Sequence, residues 1–353
     1  MKVFAINSSA RVGGQSKTEL ILNHLVKGMK EEGAEVEVVN IFKKKIRYCI
    51  GCFTCWTKTP GQCVHHDDMS KELFPKYMAS DLCIMATPLF HYTLNANLKT
   101  FIERTLPFAQ PFFELKNGVT RHPLRQTPPP VVALSVAGFP EHSVFDQLSA
   151  YMTYLYGKRL IAEIYIPGAE SMERNTADPL VASVLDAVTQ GGRELVRNKT
   201  ISAGTMKAIH TPITDFKTLA VLGNIFWQTC IDEGVTPKEF DKLKLMPRPN
   251  SLESFLALMK AGFNPKKAQG FKGSYQFVFS GKQEGNCYFT IDQNKIHCSL
   301  GSSVKPDITI TAPFEVWMDI VTRKAEGSQM FMEQKYKVEG DINLLIKMSE
   351  VFG

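Results

Sequence analysis

The sequence predicts an α/β protein: a doubly wound parallel sheet, then a helical connector, then a small α+β domain. Three observations carry that reading. The chain opens strand–loop–helix–strand, with Val3 to Ile6 as a short apolar strand, an amphipathic helix through Leu20, Ile21, Leu25 and Met29 ending near Gly33, and a second strand from Val36 to Ile41. A βαβ opening implies parallel strands with helices on both faces. Strand and helix patterns then alternate to about residue 198, and beyond Met246-Pro247-Arg248-Pro249-Asn250 the order changes to strands first and helices afterwards. The expected divisions are 1–198, 199–250 and 251–353.

Composition narrows the function classes. The chain has 353 residues, 44% apolar and 22% charged, with a formal net charge of +6. That is ordinary for a globular protein, and the mild positive balance suits anionic cofactors without arguing for nucleic acid. No apolar run approaches the ~18 residues of a membrane span, and the start lacks the core and cleavage site of a signal peptide. A cytoplasmic protein with reduced thiols and no transmembrane segment is expected.

The first loop carries chemistry. Asn7 to Gln15 reads N-S-S-A-R-V-G-G-Q, and Ser16-Lys17-Thr18-Glu19 has the form of a capping box. Ser8, Ser9, Ser16 and Thr18 lie beside Arg11 and Lys17 ahead of a helix N-terminus. Unpaired N–H groups and the helix dipole favour a phosphate dianion there. The pattern is neither G-x-x-x-x-G-K-[ST] nor G-x-G-x-x-G, which disfavours ATP hydrolysis and the usual dinucleotide fold.

The second stretch is Y-C-I-G-C-F-T-C-W-T-K-T-P-G-Q-C-V-H-H-D-D-M, Tyr48 to Met69. It holds Cys49, Cys52, Cys55 and Cys63, half of the chain's eight cysteines, spaced C-x2-C-x2-C-x7-C. Thiols at this density suit an iron–sulfur cluster or zinc, or a set of redox-active thiols. A disulfide framework is disfavoured in a reducing compartment. Lys43, Lys44, Lys45 and Arg47 lie just upstream and are expected to offset a cluster's negative charge.

Ser70 to Met78 is expected to be helical, and Asp81 to Thr87 a buried strand ending in Pro88-Leu89-Phe90-His91-Tyr92. Ligands of open α/β sheets bind outside the carboxyl ends of the strands, so this turn is a candidate seat for a flat ring. Leu94, Leu98, Phe101, Ile102 and Thr105 mark the next helix. Leu106 to Pro130, with six prolines, is a long connection expected to cover a cofactor or form a dimer contact. Val131 to Val136 is the fourth strand, with Ala137-Gly138-Phe139 at its end. A helix from Phe145 to Leu155, a strand from Leu160 to Ile166 and a helix from Pro179 to Arg197 complete the unit.

These three stretches together resemble the NAD(P)H-dependent FMN reductase family and, within it, the iron–sulfur flavoproteins, over about residues 1–195. The segments that carry the resemblance are S-S-A-R-V-G-G-Q-S-K-T, the cysteine stretch and T-P-L-F-H-Y-T-L-N-A-N-L-K-T-F-I-E-R. The resemblance implies a flavodoxin-like fold and bound FMN, with NAD(P)H or a reduced ferredoxin as electron source. Ser9, Arg11, Ser16, Lys17 and Thr18 would hold the phosphate. Pro88, Leu89, Phe90 and His91 would meet the isoalloxazine ring, with Ala137 and Gly138 near it. Cys49, Cys52, Cys55 and Cys63 would ligate a [4Fe–4S] cluster. Gln15 departs from the Asn frequent in that family.

The C-terminal pattern predicts helices at Phe216 to Glu233, at Lys238 to Leu245 and after the cap Ser251. Strands follow at Tyr275 to Phe279, Cys287 to Ile291, Ile296 to Leu300 and Asp307 to Thr311, with a hairpin loop at Asp292 to Lys295. Helices at Pro313 to Arg323, Gln329 to Gln334 and Asp341 to Val351 enclose a short strand at Lys337 to Gly340. F-V-F-S-G, K-P-D-I-T-I-T-A-P-F-E-V-W-M-D-I-V and S-Q-M-F-M-E-Q-K-Y-K-V-E-G-D-I-N-L-L resemble the sterol carrier protein type-two domain, over about 252–353. That resemblance implies an apolar tunnel for a lipid, with Phe314, Trp317, Met318, Ile320, Met330, Phe331 and Met332 as candidate lining; ordinary core packing is the alternative.

The expectation is therefore an FMN-dependent oxidoreductase, a homodimer, that passes electrons to a small-molecule or redox-protein acceptor and carries a lipid-carrier-like domain. The alternatives are a non-enzymatic flavin electron carrier and a lipid-binding protein with a redox regulatory domain.

Overall fold

A computed structural model describes residues 1–352 apart from 12, 13, 15 and 175–178, and the side chains of 173 and 174; Gln15 lies outside the described residues. The chain divides into two compact units, Met1–Phe216 and Lys217–Gly353.

In the first unit the strands are β1 (Lys2–Asn7), β2 (Glu35–Asn40), β3 (Leu82–Pro88), the small pair β4 (Glu114–Lys116) and β5 (Val119–Arg121), β6 (Val131–Val136) and β7 (Leu160–Ile166). The main sheet has the order β2-β1-β3-β6-β7, with every pairing parallel. With the hairpin set aside this is 2-1-3-4-5, the flavodoxin-like doubly wound order, whose switch point lies between β1 and β3.

Alternation along the buried strands builds two cores. Val3, Ala5, Ile84 and Leu134 face one side, packed by α1 (Lys17–Glu31). Phe4, Ile6, Cys83 and Met85 face the other, where α2 (Phe74–Ala79), α3 (Ala96–Glu103) and α4 (Asp146–Tyr156) lie. Both faces of a parallel sheet are covered in this way, so its strands are apolar throughout. After the short α5 (Ser171–Arg174), α6 (Pro179–Asn198) returns to pack beside α1, followed by α7 (Ala203–Ile209). The two long helices meet backbone to backbone. A Cβ built on Gly28 would stand 1.8 Å from the Thr189 carbonyl oxygen, and one on Gly192 would stand 2.1 Å from that of Leu25. Only glycine permits that approach.

The helix α8 (Phe216–Glu233) starts at the last residue of the first unit and opens the second, followed by α9 (Pro237–Lys242) and α10 (Leu252–Gly262). Strands β8 (Gly273–Ser280), β9 (Gly285–Asp292), β10 (Lys295–Leu300), β11 (Ile308–Pro313) and β12 (Lys337–Gly340) form a mixed sheet in the order β10-β9-β8-β11-β12. Gln293 and Asn294, at φ 48° and 60°, close a two-residue hairpin between β9 and β10. Helices α11 (Phe314–Val321), α12 (Gly327–Met332) and α13 (Asn343–Val351) complete the unit. Its core is aromatic: Phe255, Phe277, Phe279, Phe289 and Trp317 pack with ring centroids between 5.1 and 5.7 Å. Among the expected lining residues, Phe314, Trp317 and Met318 are buried in that core, whereas Met332 is 77% exposed. No helix among the described residues is long and apolar enough to cross a membrane.

Candidate functional site

All the chemistry-bearing loops of the first unit leave the carboxyl edge of the main sheet. β1 ends in a strand-to-helix turn whose hydroxyls are tied to one another. The Ser16 hydroxyl donates to Ser9 Oγ at 2.9 Å and accepts from the Glu19 N–H at 3.1 Å, capping α1. The Ser8 N–H and hydroxyl both donate to the Ala86 carbonyl of β3, at 2.9 and 3.0 Å. Asn95, the N-cap of α3, donates to the Ser8 carbonyl at 2.7 Å, and Asn40 at the end of β2 donates to the Ser9 carbonyl at 3.2 Å. The loop is thereby pinned at the switch point.

Its cations are not idle. Lys17 is buried, and its Nζ lies 3.3 Å from Glu170 Oε2; Arg11 Nη1 lies 3.4 Å from Oε1 of the same carboxylate. A single carboxylate, carried on the loop after β7, thus bridges both expected phosphate-binding cations. Thr18 is buried in the first turn of α1. Ser9, Arg11, Ser16, Lys17 and Thr18 are therefore brought together.

β3 ends at Pro88, and the chain then makes a tight turn in which Phe90 and Thr93 exchange backbone hydrogen bonds at 2.9 and 3.0 Å. The central residues His91 and Tyr92 have φ of 47° and 64°. Two consecutive non-glycine residues in the left-handed region are strained, and such strain concentrates at functional sites. The turn leaves the rings of Phe90 and Tyr92 more than half exposed at the sheet edge. Leu89 donates to the Val136 carbonyl at 3.0 Å, and Ala137 both donates to Ile166 and accepts from Ala169. The loops after β3, β6 and β7 are thus hydrogen-bonded in series, with Gly138 so close to Glu170 that an added Cβ would lie 3.5 Å from its Cγ.

The cysteine loop continues from the end of β2. Cys49, Cys52, Cys55 and Cys63 all line one pocket, with Arg104 and His65. Burial pushes the Cys55 thiol up, and the charges of Cys63, Cys49 and Cys52 push it the same way, which marks the four sulfurs as neighbours. The Thr54 hydroxyl and backbone amide lower Cys52. Among the described residues no three Cys, His, Asp or Glu side chains close on a single-ion point.

Arg104, on no candidate list from the sequence, is the organising cation. Its side chain is wholly buried. Nη1 donates to Asp67 Oδ2 at 2.8 Å and to the Arg47 carbonyl at 2.7 Å; Nη2 donates to Asp67 Oδ1 at 3.1 Å and to Ser70 Oγ at 3.1 Å. Burial opposes ionisation of Asp67, but the guanidinium and the Arg47 and Ser70 N–H groups outweigh it and hold the carboxyl far below the usual range. Arg104 Nε and His65 Nε2 are buried without a hydrogen-bond partner. Buried polar atoms are normally satisfied, so the pair marks a place for an acceptor. Of the expected upstream cations, Lys44 is bound to Glu72 at 2.5 Å, and the cation that lines the thiol pocket is Arg104, the C-cap of α3. The long connection from Leu106 to Pro130 packs against the cysteine loop. His122 packs on Trp56 of the cysteine loop with centroids 4.8 Å apart, and Leu106 and Pro107 line the thiol pocket. It is a wall of the cysteine loop.

The first unit is thus a flavodoxin-like module whose two candidate sites lie on one sheet edge. Residues 1–157 match the family described as NADPH-dependent FMN reductase, and residues 252–353 match the SCP-2 sterol transfer family; the chain joins the two modules. Among curated proteins, an iron–sulfur flavoprotein of Archaeoglobus fulgidus is 42% identical over 108 residues, 31% of this chain and 47% of that protein. An iron–sulfur flavoprotein of Methanocaldococcus jannaschii is 36% identical over 104 residues, 30% of this chain and 50% of that protein. The chain thus spans about half the length of these relatives. Hydroxysteroid dehydrogenase-like protein 2 of Xenopus laevis is 28% identical over 102 residues, 29% of this chain and 24% of that protein. Among solved structures, an azoreductase from Bacillus anthracis superposes with a TM-score of 0.42 at 14% identity, covering 55% of this chain and 99% of the other.

Proposed function

We propose that the first unit is a flavin-dependent oxidoreductase that takes electrons from NAD(P)H or a reduced ferredoxin. The observation that carries the reading is the Glu170 carboxylate held between Arg11 and Lys17 at the mouth of α1. An anion is already favoured there, and the FMN phosphate would take its place. Ser9, Ser16 and Thr18 would supply hydroxyls, and the first turn of α1 its N–H groups. Pro88, Leu89, Phe90 and His91 would flank the isoalloxazine ring, with Ala137 and Gly138 beside it. Flavin accepts hydride and releases electrons singly. The protein's part is positioning: the loops after β1, β3 and β6 are cross-bonded, so phosphate and ring seats are held at a constant separation.

The four cysteines fit a [4Fe–4S] cluster better than zinc. Zinc draws four ligands to one point at about 2.3 Å from sulfur. A cube of irons takes one thiolate at each corner, and so asks for four thiols around a pocket, as here. The orphaned Arg104 Nε would donate toward a thiolate or sulfide. The matched relatives' names support the same assignment. A redox-active thiol set is the alternative; iron and sulfide analysis of anaerobically purified protein decides between them. For the flavin, the test is flavin absorbance together with NAD(P)H oxidation. Protein that holds FMN but turns over no nicotinamide would be an electron carrier instead.

For residues 252–353 we infer lipid binding, supported by the SCP-2 match and by the Trp317 Nε1, which is buried in the aromatic core without a partner and would donate to a lipid's polar group. A fluorescent fatty acid titrated into the full chain tests it; absence of saturable binding sinks the inference.

A further inference from the structure

Beside the thiol pocket lies a second pocket, open to solvent and of about 500 Å³, in the range of small-molecule sites. The two share Cys63, Arg104 and Pro107, so a wall one residue thick separates them. The second cavity has flat, apolar sides from Phe74, Pro75, Met78 and Pro107, and cationic or donor groups at Lys71, His66 and Gln62. None of its lining residues is Asp or Glu. Of the acids flanking Lys71 in sequence, Asp67 is paired with Arg104, Glu72 with Lys44 and Lys76, and Asp68 accepts from the Lys45 N–H. Lys71 makes no ion pair among the described residues, and it is exposed. Apolar walls select a ring, and an uncompensated lysine with no competing acid selects negative charge.

We propose that this cavity seats a small, flat aromatic anion, and that this ligand is the module's electron acceptor. The binding half stands on the cavity alone; the acceptor half rests on the oxidoreductase reading above. Electrons reaching the thiol-held cluster would leave across Cys63. For a quinone the balance is NAD(P)H + H⁺ + quinone giving NAD(P)⁺ + hydroquinone: hydride leaves the nicotinamide, and both carbonyls of the acceptor become C–OH.

The probe is 9,10-anthraquinone-2-sulfonate, whose blocked ring cannot add to thiols, with uncharged 2-(hydroxymethyl)anthraquinone as the control. Calorimetric titration into oxidised full-length protein reads binding without turnover. Saturable binding of the sulfonate is expected. Lys71→Glu should weaken it about three- to tenfold and leave the uncharged probe within about twofold, since an exposed attraction is turned into a repulsion. Met78→Trp, which fills the cavity, should weaken both. Flavin absorbance and iron content of the same preparations should be unchanged. No saturable binding, or binding that Lys71→Glu and Met78→Trp leave within twofold, overturns the site. If binding behaves as expected but the loaded protein, shown to oxidise NAD(P)H with ferricyanide, does not reduce the sulfonate, the acceptor role falls. Protein without FMN or nicotinamide oxidation refutes the oxidoreductase reading, and with it the acceptor role, while the titration still decides the site.

Discussion

The loop after β1 and the loop after β2 leave the same edge of one sheet and satisfy their polar groups in opposite ways. In the first, hydroxyls bond to each other and to neighbouring carbonyls, and Arg11 and Lys17 share Glu170. In the second, four thiols line a pocket with Arg104 and His65, whose Nε and Nε2 are buried without a hydrogen-bond partner, while Thr54 bonds to Cys52 and the guanidinium faces Cys63. On the function proposed above, binding at the first site would exchange one anion for another. The second is completed only by what fills it. Loading of the two sites should therefore fail independently.

The largest expected effect breaks the second loop alone. Cys52→Ser or Cys55→Ser should abolish bound iron and sulfide while FMN content stays near wild type, measured by metal analysis and flavin absorbance on one sample. Loss of FMN in step with iron would show that the loops are not separable.

Next comes the scaffold that the second loop shares with α3. Arg104→Met strands Asp67 as a buried, unpaired charge and should destabilise the first unit by about 3–5 kcal/mol in denaturant unfolding; adding Asp67→Leu should recover most of it. The pH dependence follows from Asp67. Its folded-state pKa is depressed, so its contribution is complete above the ordinary carboxylate value, about 3.9, and is lost as pH falls from there through the folded value. Wild type should lose stability on acidification below about pH 4 more steeply than the double variant, whose curve lacks that component.

A smaller effect sharpens the exchange at the first loop. Glu170→Gln removes the resident anion and should tighten FMN binding by up to about fivefold, since a half-exposed ion pair is worth about 0–1 kcal/mol. Weaker binding would mean that Glu170 organises the cations rather than occupying their site. The smallest effect concerns the turn after β3: Tyr92→Gly relieves a left-handed backbone and should stabilise the fold by about 1 kcal/mol, read as a rise in Tm of the flavin-free protein.

Much of this was legible in the residue order. The strand Leu160–Ile166 and the helix Phe216–Glu233 fall where apolar periodicity puts them, and the cap Ser16 and the cysteine spacing announce their sites. The residues that escaped notice act through distant partners. Arg104 reads as a stray charge on an apolar helix until Asp67, 37 residues earlier, closes on it. Glu170 is a loop acid until it meets Arg11, 159 residues before it. Asn95 carried a local signal, since an Asn ahead of an apolar helix is a cap, but its bond to Ser8 spans 87 residues. The hairpin β4–β5 is exposed along its whole length, so no alternation betrayed it, and α7 has seven residues, too few for a clear period.

The glycine crossing of α1 and α6 has a genetic consequence. Gly28 lies eleven residues beyond Lys17, about 16 Å along the helix. Any side chain placed there must wedge the two helices apart, and the far end of α1 carries the Ser16 cap and Lys17. A random screen for flavin-deficient variants should therefore return Gly28 and Gly192 alongside the phosphate-loop residues, although neither lies near a bound molecule.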